Sequence, residues 1–341
     1  MPNTPPSYRS RVRGTLFGLA LGDALAAKTE FLSVAKILER WPPAGPREPE
    51  GDPALVTDDT QMALAVGEAL VACASSGSIH PSHATAELVK AFVAWFKSPD
   101  NCRAPGRTCL LACKGLDRGK PWLEATVAGS KGCGANMRVA PAAFAPRQLR
   151  AGLSQLQAAL THGHPTGLAA SDLTSFAIAE LVAGCPPRSL PARLIEYART
   201  QATTYHEAWL GALWRRQAAP NGEGFIRIGW DECLGALARL QQALEDPRPD
   251  LDPCLATGDG WIAEEALASG LHCFLLHPDD PLQALRRAAV TRGDSDSIAC
   301  LTGAFAGALH GEAAWPEAWT ARVEYRDRLD ALAESLVGLA A

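Results

Sequence analysis

Residues 56–64 read VTDDTQMAL and place two adjacent carboxylates, Asp58 and Asp59, at the start of an apolar segment. Met62 and Val66 follow four residues apart, as they would on one face of a helix. Neighbouring side chains diverge by about 100° within a regular helix, so two carboxylates that serve one ion belong at its first turn. Threonine and aspartate are also common N-cap residues, and the segment alone fits a plain capped helix start.

A second stretch with the same design, TRGDSDSIACLTGAFAGALHG, spans residues 291–311. Asp294, Asp296 and Ser297 precede its apolar helical segment, as the first pair precedes its own. Carboxylate and hydroxyl oxygens are hard ligands that suit Mg²⁺ or Mn²⁺ better than Zn²⁺. Clustered carboxylates repel one another when no cation is present, which favours a bound ion. The alternative for this second stretch is a solvated loop without an ion. The two matching stretches together predict a site for two ions.

Composition and charge exclude several classes of protein. The 341 residues are 47% hydrophobic and 20% charged, so the chain can bury a large core. A formal net charge of -5 without a basic stripe does not indicate a nucleic-acid partner. The ten cysteines are scattered without a C-x-x-C pair, so we expect reduced thiols in a cytoplasmic protein. The N-terminus lacks the apolar core of a secretion signal, and the apolar segment 16–27 is too short to span a bilayer.

The rest of the sequence predicts an all-α fold, because alternating runs of β-branched residues are almost absent. Gly14, Gly18 and Gly22 share one helical face at a cost of about 1 kcal/mol each relative to alanine, which predicts that another helix lies close to them. We expect many short helices around one contiguous core; the length of 341 residues suggests two domains, although single domains of this size exist. The predicted helices include residues 9–27, 82–97, 168–183, 190–202, 207–217, 230–244, 261–276 and 281–290, with one or two more in 315–340.

Two further segments are candidates for ligand contacts. Residues 129–139, GSKGCGANMRV, are glycine-rich without P-loop spacing, and such a segment lets backbone N–H groups approach a phosphate. A simple connecting loop is the alternative for this segment. Residues 161–166, THGHPT, hold two of the eight histidines, but no H-E-x-x-H motif supports zinc catalysis.

Five segments, taken in order, resemble the ADP-ribosylglycohydrolase family. The TDDT and GDSDS segments together carry most of the specificity. The resemblance implies one compact all-α domain over residues 1–341, an orthogonal bundle of many short helices with residues 1–8 as a flexible tail. Its binuclear metal cleft would hold two Mg²⁺ or Mn²⁺ ions and bind ADP-ribose. The segments are RGTLFGLALGDALAAKTEF (13–31), VTDDTQMALA (56–65), SKGCGANMRVAP (130–141), THGHP (161–165) and RGDSDSIACLTGAFAGALHG (292–311).

The resemblance also implies roles for individual residues. Those expected to act in catalysis are Glu30, Asp59 and Asp294, and Glu30 falls on a segment that is mobile over the metals in the family. The metal-ligand positions are taken by Thr57, Asp58, Asp59, Asp294, Asp296 and Ser297. The segments that line the ADP-ribose site contribute Ser130, Gly132, Cys133, Gly134, Met137 and His162.

Several positions depart from the commoner pattern of the family, and one of them is Ala26, which replaces a frequent glycine. Ser297 stands where threonine is usual and keeps the hydroxyl, whereas Cys133 stands where many members carry asparagine. Residues 105–108, PGRT, lie where part of the family carries an acidic residue in a G-D-T run. That acidic residue matters for the acceptor, because a carboxylate holds the charge of a departing guanidinium.

The expected function is metal-dependent removal of ADP-ribose from a modified acceptor, with ADP-ribosylarginine on protein preferred. The alternatives are hydrolysis of serine-linked, nucleic-acid-linked or small-molecule-linked ADP-ribose, a reader that binds ADP-ribose without hydrolysing it, and a di-metal phosphohydrolase. We expect a monomer with no membrane contact, whose partner is an ADP-ribosylated protein or another ADP-ribosylated acceptor.

Overall fold

The computed structural model describes residues 5–339, which are mainly helical and form isolated β-bridges but no extended strand. Residues 1–4 of the predicted tail and residue 340 of the predicted last helix lie outside the described part of the chain. The all-α prediction is confirmed. The α-helices are α1 (Tyr8–Ala26), α2 (Val34–Arg40), α3 (Asp58–Ser75), α4 (Pro81–Lys97), α5 (Arg107–Asp117), α6 (Trp122–Ala125), α7 (Arg147–Ala159), α8 (Pro165–Val182), α9 (Leu190–Gln201), α10 (Glu207–Leu210), α11 (Gly222–Glu245), α12 (Cys254–Thr257), α13 (Ala263–Leu276), α14 (Pro281–Ala288), α15 (Ser295–His310), α16 (Glu317–Thr320) and α17 (Arg326–Leu339).

Helices α1 and α15 form the centre of the fold and touch through their backbones. A Cβ added to Gly18 would collide with the carbonyl oxygen of Gly303, and one added to Gly22 would collide with that of Ala299. The predicted close approach is therefore confirmed, and α15 is the partner helix. Both helices are buried on nearly all sides, which explains why neither carries a polar stripe.

The remaining helices surround this pair and place the two aspartate segments together. Helices α13 and α14 pack against α15, helix α17 packs against both α1 and α3, and α8 lies between α7 and α11. Because α1 and α15 run antiparallel, the end of α1 meets the start of α15, and Thr29 Oγ1 lies 2.8 Å from Ser295 Oγ. No helix among residues 5–339 combines the length and the apolar character that a bilayer crossing requires.

Several predicted boundaries are wrong where local turn chemistry decides them. Residues 207–217 are not one helix, because Gly211 adopts a φ of 51° and ends α10. Helix α11 starts eight residues before the predicted Trp230, since Asn221 Oδ1 accepts a hydrogen bond from Gly224 N at 2.7 Å and caps it. Helix α13 starts at Ala263 and not at Trp261, because Ile262 is extended.

Candidate active site

A cavity of about 310 Å³ opens where the first turns of α3 and α15 meet the end of α1. Its walls also include the loop before α5 and the glycine-rich segment. Thr57 and Ser130 are the predicted site residues that do not line it. The predicted residues that do line it are Glu30, Asp58, Asp59, Gly132, Cys133, Gly134, Met137, His162, Asp294, Asp296 and Ser297.

Five carboxylates converge on the floor of this cavity. One oxygen each of Glu30, Asp294 and Asp296 lie within 4.8 Å of one another. Asp59 is 2% exposed, and its Oδ2 has no hydrogen-bond partner among the described residues. Carboxylates that are this crowded and this dry need positive charge nearby. The fifth is Asp58, whose Oδ2 accepts a hydrogen bond from Gly106 N at 3.0 Å.

Burial and mutual repulsion raise the pKa values of this cluster. Burial, followed by the charges of Asp294 and Asp58, raises the pKa of Glu30 to about 8. Burial also raises the pKa of Asp58 to about 7, although the Gly106 N–H opposes the rise. The pKa of Asp59 is raised well above its usual range by burial and by its acidic neighbours. A divalent cation would relieve this repulsion, so the donor set fits a metal site built from oxygen ligands.

Asp23 holds the start of α3, where Asp58 and Asp59 lie, through hydrogen bonds from outside the cavity. Its carboxylate lies in the last turns of α1 and accepts hydrogen bonds from the backbone N–H and the hydroxyl of both Thr57 and Thr60. The hydroxyl proton of Thr57 is thus directed away from the cavity. The sequence analysis did not include Asp23 in the site, although a lone aspartate inside an apolar helix was a usable signal.

The start of α15 is held from two sides. Asp294 N donates to the carbonyl oxygen of Asp259 at 2.8 Å, which ties α15 to the loop before α13. The thiol of Cys133 donates to Asp294 Oδ2 at 2.7 Å, so the glycine-rich segment reaches the acidic floor. Ser297 N donates to Asp296 Oδ1 at 3.1 Å, which orients the second carboxylate of the segment.

The glycine-rich segment is pinned by backbone hydrogen bonds along both edges. His164 N donates to Ser130 O at 3.2 Å on one side, and Cys133 N donates to Trp261 O at 3.1 Å on the other. The Lys131 ammonium lies 2.6 Å from a glutamate of α11 and 2.6 Å from a glutamate of α13. The segment is therefore a fixed wall, and the Cys133 N–H is already used and not free for a phosphate.

His162 forms part of the cavity wall beside Gly132 and Gly134. Its Nδ1 lies 2.8 Å from Thr161 Oγ1, which accepts a hydrogen bond from Arg138 Nη2 at 2.7 Å. Arg138 is fully buried and stacks its guanidinium on the ring of Phe92 at 4.6 Å. Burial, with the Arg138 charge second, lowers the pKa of His162 well below its usual range. His162 therefore offers a ligand a neutral imidazole.

The mouth of the cavity carries aromatic faces and one cation. The rings of Phe31 and Trp261 stack with centroids 5.6 Å apart and an interplanar angle of 17°. Phe31 is 68% exposed and adopts a φ of 63°, which turns the chain directly after Glu30. Arg107, the first residue of α5, is the one cationic side chain among the described residues that line the cavity. The sequence analysis predicted neither aromatic residue as part of the site.

Comparison with known proteins shows which family this chain resembles. A family model described as ADP-ribosylglycohydrolase matches residues 4–341. The ADP-ribosylhydrolase ARH3 of Bos taurus is 26% identical over 96% of this chain and 92% of its own length. The ADP-ribosylarginine hydrolase Tri1 of Serratia proteamaculans (strain 568) is 25% identical over 99% of this chain and 83% of its own length.

Two more matches bear on sequence and fold. The ADP-ribosyl-[dinitrogen reductase] glycohydrolase of Rhodospirillum rubrum is 33% identical over 53% of this chain and 61% of its own length. A solved structure described as an ADP-ribosylglycohydrolase-related protein complex superposes with a TM-score of 0.65 at 22% identity and covers 98% of this chain and 99% of that chain. At this identity the structural match supports the fold alone.

Proposed function

Because the chain belongs to the ADP-ribosylglycohydrolase family, as its motifs predicted, we propose that it is a metal-dependent hydrolase that releases ADP-ribose from a modified acceptor. The observation that carries this proposal is the floor of five carboxylates, in which Asp59 Oδ2 is buried without a hydrogen-bond partner in the described part of the chain. Hard oxygen donors suit Mg²⁺ or Mn²⁺. The residues that would hold two such ions are Thr57, Asp58, Asp59, Asp294, Asp296 and Ser297.

The acidic floor fits the charge that develops when a bond to the anomeric carbon of ribose breaks. This cleavage gives the ribose oxocarbenium character, and nearby carboxylates stabilise that positive charge. When bound, the ions supply Lewis acidity to water and to the ribose hydroxyls. Glu30 is the least buried member of the cluster, so its carboxylate is the one best placed to take a proton from water.

The wall formed by the glycine-rich segment and His162 supports the assignment of ADP-ribose as the bound group. A Cβ added to Gly134 would lie 2.9 Å from both Cys109 Sγ and His162 Cε1, so only glycine keeps this wall open. We assign the diphosphate to the backbone near Gly132 and Gly134, where the absence of side chains allows close approach. His162 supplies a neutral hydrogen-bonding group to the same region.

For the acceptor, we propose ADP-ribosylarginine on protein as the leading substrate. Two observations support it: the similarity to the ADP-ribosylarginine hydrolase of Serratia, and the exposed faces of Phe31 and Trp261, on which a planar guanidinium can stack. A specific feature favours a second candidate, an O-linked acceptor such as serine. Arg107 lines the cavity and would repel a guanidinium leaving group.

The test is a measurement of ADP-ribose released from matched arginine-linked and serine-linked ADP-ribosyl peptides in the presence of Mg²⁺ or Mn²⁺. We expect faster release from the arginine linkage, no release in excess chelator, and none from Asp59→Ala or Asp294→Ala variants with unchanged circular dichroism. Faster release from the serine linkage would show that the acceptor is serine and not arginine, and the proposal of a metal-dependent hydrolase would stand. Binding without release would identify a reader, and phosphate release from nucleotides would favour the phosphohydrolase.

A further inference from the structure

Cys133 places a sulfur atom against the acidic floor of the cavity. Its Sγ lies 2.7 Å from Asp294 Oδ2 and 3.7 Å from Ser297 Oγ, two groups that the proposed function assigns to the metals. The loop does not need this contact for its position, because the Cys133 N–H already holds it to Trp261 O at 3.1 Å. The contact of the thiol with Asp294 is therefore not needed to hold the glycine-rich segment, and it places the sulfur where a ligand of the acidic floor would lie.

A second observation points to a cation within reach of the same groups. Asp59 Oδ2 is buried and has no hydrogen-bond partner among residues 5–339. One oxygen each of Glu30, Asp294 and Asp296 lie within 4.8 Å of one another, and Asp294 is the carboxylate that Cys133 contacts. An ion held there would meet several hard oxygens and one soft sulfur.

Sulfur and oxygen ligands select different ions. Thiolates favour thiophilic transition metals, whereas carboxylates and hydroxyls suit Mg²⁺, Ca²⁺ and Mn²⁺. Building on the metal site of the proposed function, we propose that Cys133 is a sulfur ligand that lets this site bind thiophilic divalent ions such as Co²⁺, Zn²⁺ or Cd²⁺. The thiol releases its proton to solvent when its sulfur binds the ion. Such ions would then compete with Mg²⁺ and inhibit hydrolysis.

The test uses Co²⁺ as the probe, because a cobalt–sulfur bond gives a charge-transfer absorption band in the near ultraviolet. The wild-type protein is titrated with Co²⁺ beside Cys133→Ser, Cys109→Ser and Asp294→Ala variants. Cys109 is the matched control, since it also lines the cavity but its Sγ lies 3.5 Å from Arg138 Nη1. We expect the band in the wild type and in Cys109→Ser, and its loss in the other two variants.

Calorimetry gives a second readout that does not depend on activity. Losing a partner of a metal ligand lowers metal affinity by about 10–100-fold, and losing a ligand costs at least as much. We therefore expect Cys133→Ser to lower Cd²⁺ affinity by at least about tenfold and to change Mg²⁺ affinity far less. Inhibition of hydrolysis by Cd²⁺ should weaken in parallel.

The possible failures are distinguishable. If Co²⁺ binds without a charge-transfer band, or if the band persists in Cys133→Ser, Cys133 is not a ligand, and the Mg²⁺-dependent hydrolase stands. If Co²⁺, Mn²⁺ and Mg²⁺ all fail to bind the wild type, the metal site of the proposed function is itself wrong. Equal losses of Cd²⁺ and Mg²⁺ affinity in Cys133→Ser would indicate that the thiol only positions Asp294.

Discussion

The Asp23 carboxylate accepts two hydrogen bonds from Thr57, one from its backbone N–H and one from its hydroxyl, each at 2.9 Å. Thr60 donates two more hydrogen bonds to Asp23, so the end of α1 acts as the cap of α3. Burial raises the pKa of Asp23, and these four hydrogen bonds oppose the rise. The central helix pair thereby fixes the position of the first two metal-site carboxylates.

Asp23→Ala should destabilise the protein and weaken metal binding together. Leaving buried donors without their charged acceptor costs on the order of 2–4 kcal/mol, and misplaced ligands lower metal affinity about 10–100-fold. Urea unfolding and calorimetric Mn²⁺ titration measure the two effects. Asp279→Ala, at an exposed aspartate, is the control and should change neither. Unchanged Mn²⁺ affinity in Asp23→Ala would show that metal binding does not need the hydrogen bonds of Asp23 to Thr57 and Thr60.

Gly18→Ala should separate the two central helices. An added methyl would collide with the carbonyl oxygen of Gly303, and overpacking against backbone costs about 3 kcal/mol or more. Gly235→Ala in α11 is the matched control, because nothing lies within 4 Å of the added Cβ there. That change should stabilise the protein by about 0.5–1 kcal/mol through helix propensity. Equal unfolding free energies for the two variants would contradict the packing argument.

The sequence predicts the parts of this fold that depend on short-range patterns. The four-residue spacing of Gly14, Gly18 and Gly22 predicts a close partner helix, because only close packing justifies three glycines on one face. It does not identify α15 as that partner, since the pairing joins segments almost 300 residues apart. Helix boundaries set by a single residue, such as the break at Gly211, also escape a periodicity argument.

The same limit applies to the cavity. Asp58, Asp59, Asp294 and Asp296 are predictable because they sit at helix starts in matching motifs, and the structure brings them together. The aromatic pair at the mouth belongs to no motif, and only the tertiary fold makes those two rings meet. Arg138 is a related case, because its burial beneath His162 depends on helices distant in sequence and not on its own segment.

The stability of the metal-free protein should fall as the pH rises. The pKa values of Glu30 and Asp58 are raised to about 8 and about 7, whereas unfolded carboxyls titrate near roughly 4. The folded state therefore binds more protons between about pH 4 and pH 8, and these groups lose their stabilising contribution across that window. Metal ions bind the deprotonated cluster, so the increase in Tm on adding Mg²⁺ should grow from pH 6 to pH 8.

Thermal unfolding with Mg²⁺ and with chelator, measured at each pH, isolates this effect from other titrating groups. Asp294→Ala is the control and should show no Mg²⁺-dependent increase in Tm at either pH. A Mg²⁺ effect that is equal at pH 6 and pH 8 would mean that the carboxylates are not protonated in the metal-free protein.

Glu30→Gln should slow hydrolysis with little loss of ADP-ribose affinity. The amide keeps the shape of the side chain but cannot take a proton from water, and loss of a general base costs roughly 10²–10⁴-fold in kcat. Glu39→Gln, at an exposed glutamate of α2, is the control. Recovery of the Glu30→Gln rate at high Mn²⁺ would instead identify Glu30 as a metal ligand, which its position near Asp294 and Asp296 also allows.

Arg107→Asp should shift the acceptor preference towards arginine. Arg107 is the first residue of α5, where a positive charge opposes the helix dipole, so an acidic replacement should not weaken the helix. In the cavity, the change removes the repulsion between Arg107 and a guanidinium leaving group and replaces it with attraction.

We expect the ratio of kcat/KM for arginine-linked over serine-linked peptide to rise roughly tenfold, which corresponds to about 1.4 kcal/mol. Arg107→Gln should give about half of that free-energy change, and added salt should shrink both effects because the site is open to solvent. A ratio that does not change in either variant would show that the Arg107 side chain does not face the acceptor, and the second candidate substrate would then lose its main support.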